Sequence, residues 1–536
     1  MNVPRLLLVL PVCVFAASAA RAQDWPQWRG PDRNGICPDK IALAASWPES
    51  GPKRLWISEA IPDGYGCPVV ADGRVFVYVN PKYSVPVTTR KVTEARLHDL
   101  GWAPADKLPP APLLQAVDEA RLSAPRAKLT DPKDIGPWVD GWLKDHLTPE
   151  QRTSFGAYCS DRLRKGPAAF PVDDLNKLTP IKDKLFASAA EFETWLNQAG
   201  LSPQLRQATL NAAPSSEAMG KDVVYCLSAA DGKTIWRKEY GNIPTKSDIF
   251  SGSSSTPTIA AGRCYVAGAD GALYCFNAAD GAELWVTKGA SGVQDGSPLL
   301  VGDLVVAMAK PTYAVHARDG KLAWQQPGVA TLANSPVAWT SGGKTCLLCN
   351  TEDKLHGLDA ATGQILWSVP GRCYSTVAVA GDVLAVQSDN PGVGLSAYRL
   401  TPTNPQKLWN VNICDMAACP IIYAGCVYSA PAGWAVCVRL ADGSVAWKQK
   451  LGAGQFSSPI LADGKLFTLI DEGAHLVMWR AAPEKFELLA KATIGAKNCT
   501  TPTIAGGRLY LRLEKGVACY DLTESAGVSQ PQPATR

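Results

Sequence analysis

The stretch LDAATGQILW, Leu358 to Trp367, runs a strand-like segment into a Thr-Gly turn and sets a tryptophan four residues past the glycine. The arrangement recurs. LSAADGKTIW ends at Trp236, FNAADGAELW at Trp285, VHARDGKLAW at Trp324 and VRLADGSVAW at Trp447. YRLTPTNPQKLW, ending at Trp409, is a looser copy. A spacing of about 40 residues marks a repeated structural unit. Asp-Gly and Thr-Gly supply the positive φ that a tight hairpin turn demands. The strand after the turn then presents its indole at a fixed height.

A second motif alternates with the first. A small hydroxyl residue, often followed by Pro, leads into a few apolar residues, a Gly turn and an alternating strand. The copies are GCPVVADGRVFVYV, SSTPTIAAGRCYVAG, DGSPLLVGDLVVAM, NSPVAWTSGGKTCLLC, YSTVAVAGDVLAVQ, AACPIIYAGCVYS, SSPILADGKLFTLI and CTTPTIAGGRLYLR. Each predicts two short strands, and the Asp-Gly motif adds a third and a fourth. Four antiparallel strands at this period predict an all-β chain, an eight-bladed β-propeller of four-stranded blades. The eighth copy ends on its third strand, GVACYDL, while the N-terminal GPKRLWIS carries a spare strand with Trp56. That strand is expected to complete the last blade and remove its exposed edges. Trp56, Trp236, Trp285, Trp324, Trp367, Trp409 and Trp447 are read as structural docking residues between blades. In the seventh unit, WRAAPEKFELLAK, Leu488 falls near the vacant tryptophan position.

From about Pro81 to Lys221 the repeat stops and helix signals replace it, predicting a helical insertion in the first blade. Thr148-Pro149-Glu150-Gln151 is a capping box with Pro at the first helical position. Ser188 and Ser202-Pro203 open two further helices, and PLLQAVDEARLS and GPWVDGWLKDHL have helical period. About five helices are expected, as a cap on the channel, a partner-binding unit or a decoration. The expected organisation is a signal peptide over 1–22, an N-terminal segment with the closing strand over 23–80, the insertion over 81–221, the rest of the propeller over 222–522 and a disordered tail over 523–536.

The signal reading rests on Arg5, the apolar run Leu6 to Ala17 and the Ala20-Arg21-Ala22 site, with cleavage before Gln23. A periplasmic or secreted location follows, and no later apolar run is long enough to span a bilayer. The net charge of +4 is small for 536 residues and unclustered, which argues against nucleic acid as a partner. Most of the 16 cysteines sit in apolar strand runs and read as small buried hydrophobes. Cys346 and Cys349 lie three apart on a strand and point to opposite faces, so they form no joint site. Cys426 and Cys437 flank a turn and are the best disulfide candidate.

LDAATGQILW fits the tryptophan-docking repeat A-x-D-x-x-T-G-x-x-x-W, so the chain resembles the pyrroloquinoline-quinone (PQQ)-type eight-bladed propellers. DWPQWRGPDRNGI, Asp24 to Ile36, resembles the start common to exported bacterial members. By its residues alone, that segment is an aromatic anchor followed by turns. The resemblance implies one of two functions. One branch comprises quinoprotein dehydrogenases, which act on alcohols or sugars with PQQ, calcium, an aspartate base and often a disulfide between adjacent cysteines. This chain has no Cys-Cys dipeptide and no segment matching the acidic and amide ligands. The other branch resembles the scaffold of outer-membrane protein assembly, which binds proteins and carries no cofactor. The leading expectation is a binding or assembly scaffold with protein partners and without catalysis.

The five histidines, His98, His146, His316, His356 and His475, show no metal spacing, and neither a nucleophile elbow nor a P-loop is present. Ligands of propellers sit over the central channel, lined by the starts of the inner strands. The candidates there are Asp295, Asn334, Arg372, Asp415, Gln455 and Lys497. Arg372 and Lys497, if they converge, favour a small anionic ligand.

Overall fold

A computed structural model describes residues 24–62, 64–244, 254–289, 296–331, 334–371, 374–454 and 457–523. The expected signal peptide lies outside the described residues, as does the tail beyond Thr523. The chain divides into two compact units, residues 83–218 and the remainder.

The larger unit is mostly β, built of antiparallel sheets consistent with propeller blades. Seven of its sheets have four strands each. The second, for example, runs Thr258–Ala260, Arg263–Ala267, Ala272–Asn277, Glu283–Lys288. The first departs from the expected four strands: besides Val69–Ala71, Arg74–Val79, Ser216–Ser228 and Thr234–Pro244 it includes a fifth, Lys82–Pro86, paired with Ser216–Ser228. Its second and third strands are joined through the other unit. The last sheet runs Thr503–Ala505, Arg508–Leu513, Gly516–Asp521, and its fourth strand is Lys53–Ile57 from near the other end of the chain. Trp56 lies opposite Cys519, and Arg54 opposite Tyr520.

Adjacent sheets are joined by two sets of bonds. On the fourth strands, six of the seven docking indoles donate to the turn between the third and fourth strands of the next sheet, Trp367 being the exception among the described residues. Trp56 Nε1 reaches Ala229 O at 3.1 Å, Trp236 reaches Ala278 O at 3.1 Å, and Trp285 reaches Ala317 O at 3.0 Å. Trp324 reaches Ala360 O at 3.1 Å, Trp409 Leu440 O at 2.8 Å and Trp447 Ala482 O at 2.8 Å. The turn glycine lies flat under the ring. A Cβ on Gly281, which sits at φ +74°, would meet Trp236 at 2.7 Å. The Asp-Gly turn and the indole four residues on are therefore two halves of one joint, made between neighbouring copies of the motif.

Ahead of the first strands, seven of the eight backbone amides donate to a side chain on the next sheet, with no such bond seen from Ser335 among the described residues. Cys67 N–H reaches Thr256 Oγ1 at 3.2 Å, Thr256 N–H reaches Ser297 Oγ at 3.0 Å, and Ser297 N–H reaches Ser335 Oγ at 2.9 Å. The series resumes with Thr376 N–H to Cys419 Sγ at 3.2 Å, Cys419 N–H to Ser458 Oγ at 3.1 Å and Ser458 N–H to Thr501 Oγ1 at 3.2 Å. Thr501 N–H then donates to Cys67 Sγ at 3.3 Å, returning to the starting residue. The hydroxyls of the second sequence motif, and the two thiols standing in for them, thus satisfy backbone donors that burial would otherwise leave unpaired.

Three expectations need correction. Leu488 is not at the tryptophan position. Register pairs Met478 with Ala490, as it pairs Cys437 with Trp447, so Ala490 occupies that place and Leu488 is about half exposed. The seam is filled from elsewhere: Trp47 is buried in the same core as Ala490 and Ala492 and stacks on Phe467 at 6.0 Å. Cys426 and Cys437 are both free, because register sets Cys437 opposite Tyr428 and Cys426 opposite Arg439, a diagonal rather than a facing pair. The smaller unit holds eight α-helices among its described residues, since three of four to seven residues, Glu94–Leu100, Ala124–Ala127 and Val172–Asn176, are too short to show a period. Cys346 and Cys349 do fall in separate cores on opposite faces of Lys344–Asn350.

In the smaller unit the Thr148 capping box opens helix Pro149–Lys165. One core gathers Leu97, Trp102, Leu175, Phe186, Phe192 and Leu196. Another gathers Val117, Val139, Cys159 and Leu163. Beside the latter, Asp118 Oδ1 accepts from Arg121 Nε at 2.5 Å and Arg162 Nη2 at 2.6 Å. Burial works against its charge, but these two guanidiniums hold its carboxyl below the usual range.

Candidate functional site

The loops before the first strands of the sheets hold the predicted site residues. Asp295, Arg372 and Gln455 lie outside the described residues. The other three are occupied by the fold itself. Asn334 is buried and donates through Nδ2 to Asn350 O at 2.7 Å. Asp415 Oδ1 accepts from the amides of Ala417 and Ala418, each at 2.7 Å, and Oδ2 accepts from Ala432 N–H at 2.8 Å. Lys497 pairs with Glu514 at 3.0 Å and lies over the Tyr65 ring at 4.7 Å. Each ties its loop to another part of the same sheet.

Asp24 to Ile36, expected as an aromatic anchor packing on the propeller, lies against the starts of several first strands. Trp25 exchanges two backbone bonds of 2.8 Å with Val70, and Pro26 O accepts from Ile259 N–H at 2.8 Å. Trp28 Nε1 donates to Thr376 Oγ1 at 3.1 Å, at the one interruption in the series of amide bonds. Arg29 and Arg33 then point between the strand starts, and both are about 1% exposed. Arg33 Nη1 donates to Ser297 O at 3.1 Å and Pro336 O at 3.0 Å. Its Nη2 donates to Pro298 O and, at 3.4 Å, to Thr258 Oγ1, and its Nε to Gln27 Oε1 at 3.0 Å. Arg29 donates to Cys419 O at 3.2 Å, Pro420 O at 2.5 Å, Asn34 O at 3.0 Å and Arg33 O at 3.4 Å. Burial lowers both guanidinium pKa values, that of Arg33 to about 9. Trp25, Trp28 and Arg29 face Cys67, Thr256 and Thr501 across a space too tight for a water. The sequence signal was the pair of arginines four apart. Their left-handed backbone, φ +60° and +53°, is not legible from residue type.

A second buried cluster lies between the first two sheets. Asp222 Oδ1 accepts from Tyr78 Oη at 2.6 Å and Asn80 Nδ2 at 2.5 Å, and Oδ2 from Ala269 N–H at 2.7 Å. Tyr240 packs 4.5 Å from Tyr274, which donates to Asp270 at 2.8 Å. Burial raises the Asp222 carboxyl to about 7 against the pull of its three donors.

Among the described candidates, Asp415 and Lys497 do not fit a calcium ion. A calcium site needs six or more oxygens free to turn toward the ion. Both oxygens of Asp415 are committed to amides, Lys497 adds a positive charge, and the described residues contain no cluster of three metal-ligating side chains.

The family described as outer membrane protein assembly factor BamB matches residues 215–331, 311–413 and 431–529, more than half of the chain. The chain belongs to that family. Its PQQ-like repeats correspond to the β-propeller sheets described above. Among solved structures, BamB from Moraxella catarrhalis is 16% identical, covering 55% of this chain and 87% of that one, with a TM-score of 0.45. The computationally designed Ika8 protein is 10% identical, covering 56% and 93%, at 0.43. Quinohemoprotein alcohol dehydrogenase from Comamonas testosteroni is 14% identical, covering 59% and 75%, at 0.40. No curated protein matches the chain. No helix among the described residues is long and apolar enough to cross a membrane.

Proposed function

We propose that the chain is an exported BamB-like scaffold. Its eight sheets close into one propeller ring, docked by the seven tryptophans and completed by Lys53–Ile57, and it binds protein partners without catalysis. Residues 1–22 direct export to the periplasm, and residues 83–218 are the unit that distinguishes this chain from a bare propeller. The observation that carries the reading is Asp415: the acid best placed among the described candidates to hold a metal spends both oxygens on three backbone amides. The family description, an assembly factor, points the same way.

The test is reconstitution of the purified protein with PQQ and calcium, followed by thermal shift and a dye-linked dehydrogenase assay. A scaffold gives neither a shift nor turnover. Turnover on alcohols or sugars overturns the reading in favour of a quinoprotein. Crosslinking of the full chain in its native envelope, compared with a variant in which residues 83–218 are replaced by a short linker, reads out recruitment by the helical unit.

A further inference from the structure

The segment from Asp24 to Ala44 is in contact with all eight sheets. It meets the first through Val70 and Asp72, the second through Ile259, and the third and fourth through Arg33 on Ser297 and Pro336. It meets the fifth through Thr376 and the sixth through Cys419 and Pro420. On the seventh, Cys37 and Gly35 exchange backbone bonds of 2.8 Å with Leu461, and on the eighth Asp39 accepts from Gly506 N–H at 2.6 Å while Ala44 donates to Leu522 O at 2.7 Å. Asp72, Asp463 and Gly506 belong to the turns between first and second strands, and Asp463 accepts from Leu43 at 2.9 Å. The segment therefore enters and leaves at the turn end of the sheets, while its two guanidiniums reach the strand starts at the other end.

The chemistry is that of a ligand in a site. All five N–H groups of Arg33 find acceptors, drawn from three different sheets and from Gln27. The acceptors are carbonyl, amide and hydroxyl oxygens, with no carboxylate among them. Only a planar fork fills such a cradle; a lysine ammonium has three donors and no fixed directions. Two indoles add apolar area on either side.

We propose that the space inside the sheets is a peptide-recognition groove for a Trp-x-x-Trp-Arg-x-x-x-Arg segment, whose resident occupant is residues 24–44 of the chain itself. The occupant is separable from the sheets that hold it and closes the turn end, so that any further ligand enters from the end bearing Asn334, Asp415 and Lys497. The ring proposed above frames the groove, but the bonds to the segment stand whether or not the molecule recruits a partner.

Cys67 reports on occupancy, because it lies against Trp25, Trp28 and Arg29 and is buried in the folded chain. Cys264 and Cys275, in the middle strands of the second sheet, report on the sheets themselves. In the full-length Arg29→Met/Arg33→Met variant, native-state alkylation followed by peptide mass mapping is expected to label Cys67 at least tenfold faster than in the parent, with Cys264 and Cys275 still protected. A synthetic peptide of residues 24–44 added in trans restores protection of Cys67, and the same peptide with both arginines replaced by methionine does not. An unchanged Cys67 rate, exposure of Cys264 together with Cys67, or equal effects of the two peptides would overturn the proposal. Should the double variant not fold, Arg33→Lys carries the same comparison: Cys67 labelling rises severalfold if the fork is required and stays at the parental rate if it is not. A molecule with no partner and no cofactor gives the same labelling result, so this test and that of the scaffold fail independently.

Discussion

Asp222 shows what a single buried group contributes. Its folded-state carboxyl holds a proton up to about pH 7, whereas the unfolded carboxyl releases it near the ordinary value of 3.8. Between those two values the folded chain binds more protons, so raising the pH lowers stability through that window. Urea melts at pH 5 and pH 8 are expected to show this loss, and Asp222→Asn to flatten the difference between them. Gly281 tests a different residue-scale claim. Gly281→Ala places a Cβ in the left-handed region and against Trp236, and is expected to cost about 2–4 kcal/mol. Gly262→Ala, at φ +72° with nothing within 4 Å, carries only the backbone cost of about 1–2 kcal/mol. The difference, read by urea denaturation, isolates the contact with the indole. At this scale legibility was uneven. The glycines announce themselves by their turn, but Asp222 sits unremarked in KDVVYCL, because burial depends on which strands come to lie beside it.

Elements were more legible, and their failures follow from register. The alternating copies predict strands well, since period two is a property of the strand alone. Leu488 was misplaced because the seventh unit's turn is two residues longer, Trp479 facing Leu488 where Val438 faces Val445, and it lacks the Asp-Gly that anchors the count in the other copies. Trp47 escaped notice because it lies outside any repeat, although it fills the seam where Ala490 leaves space. The joints themselves can be compared. Trp324 and Trp367 are equally buried, but Trp324 donates to Ala360 O while the Trp367 indole finds no partner among the described residues. Trp324→Phe strands a buried carbonyl and is expected to cost about 1–2 kcal/mol more than Trp367→Phe. Chemical denaturation of the two variants measures the difference. In the helical unit the capping box was readable because Thr148, Pro149 and Gln151 act within one turn. Thr148→Ala is expected to cost about 1 kcal/mol, seen as faster amide exchange in the first turn of Pro149–Lys165.

For the whole molecule, the eight copies of the second motif correspond to eight first strands, and the unpaired N-terminal strand correspondingly lies beside Gly516–Asp521. The segment from Asp24 to Ile36 was legible as an aromatic anchor, but the burial of Arg29 and Arg33 was not, because it depends on which strand starts come to lie beside them. The closed ring proposed above predicts that damage at one seam spreads. Trp56→Ala is expected to cost about 3–5 kcal/mol. Hydrogen exchange should then rise in both the first and the last sheet, which Trp56 joins through its indole on Ala229 and its backbone opposite Cys519. Loss confined to Lys53–Ile57 would argue against a closed ring. The pairing of Lys53–Ile57 with Gly516–Asp521 also imposes an order in time. During vectorial synthesis the strand that finishes the last sheet leaves the ribosome hundreds of residues before its partner exists. It must wait unpaired until Gly516–Asp521 emerges. A chain arrested before Gly516 therefore keeps a sticky, unmated β-edge at its N-terminus. Ribosome-stalled intermediates of this protein should be chaperone clients, and release from the chaperone should track the emergence of the last thirty or so residues.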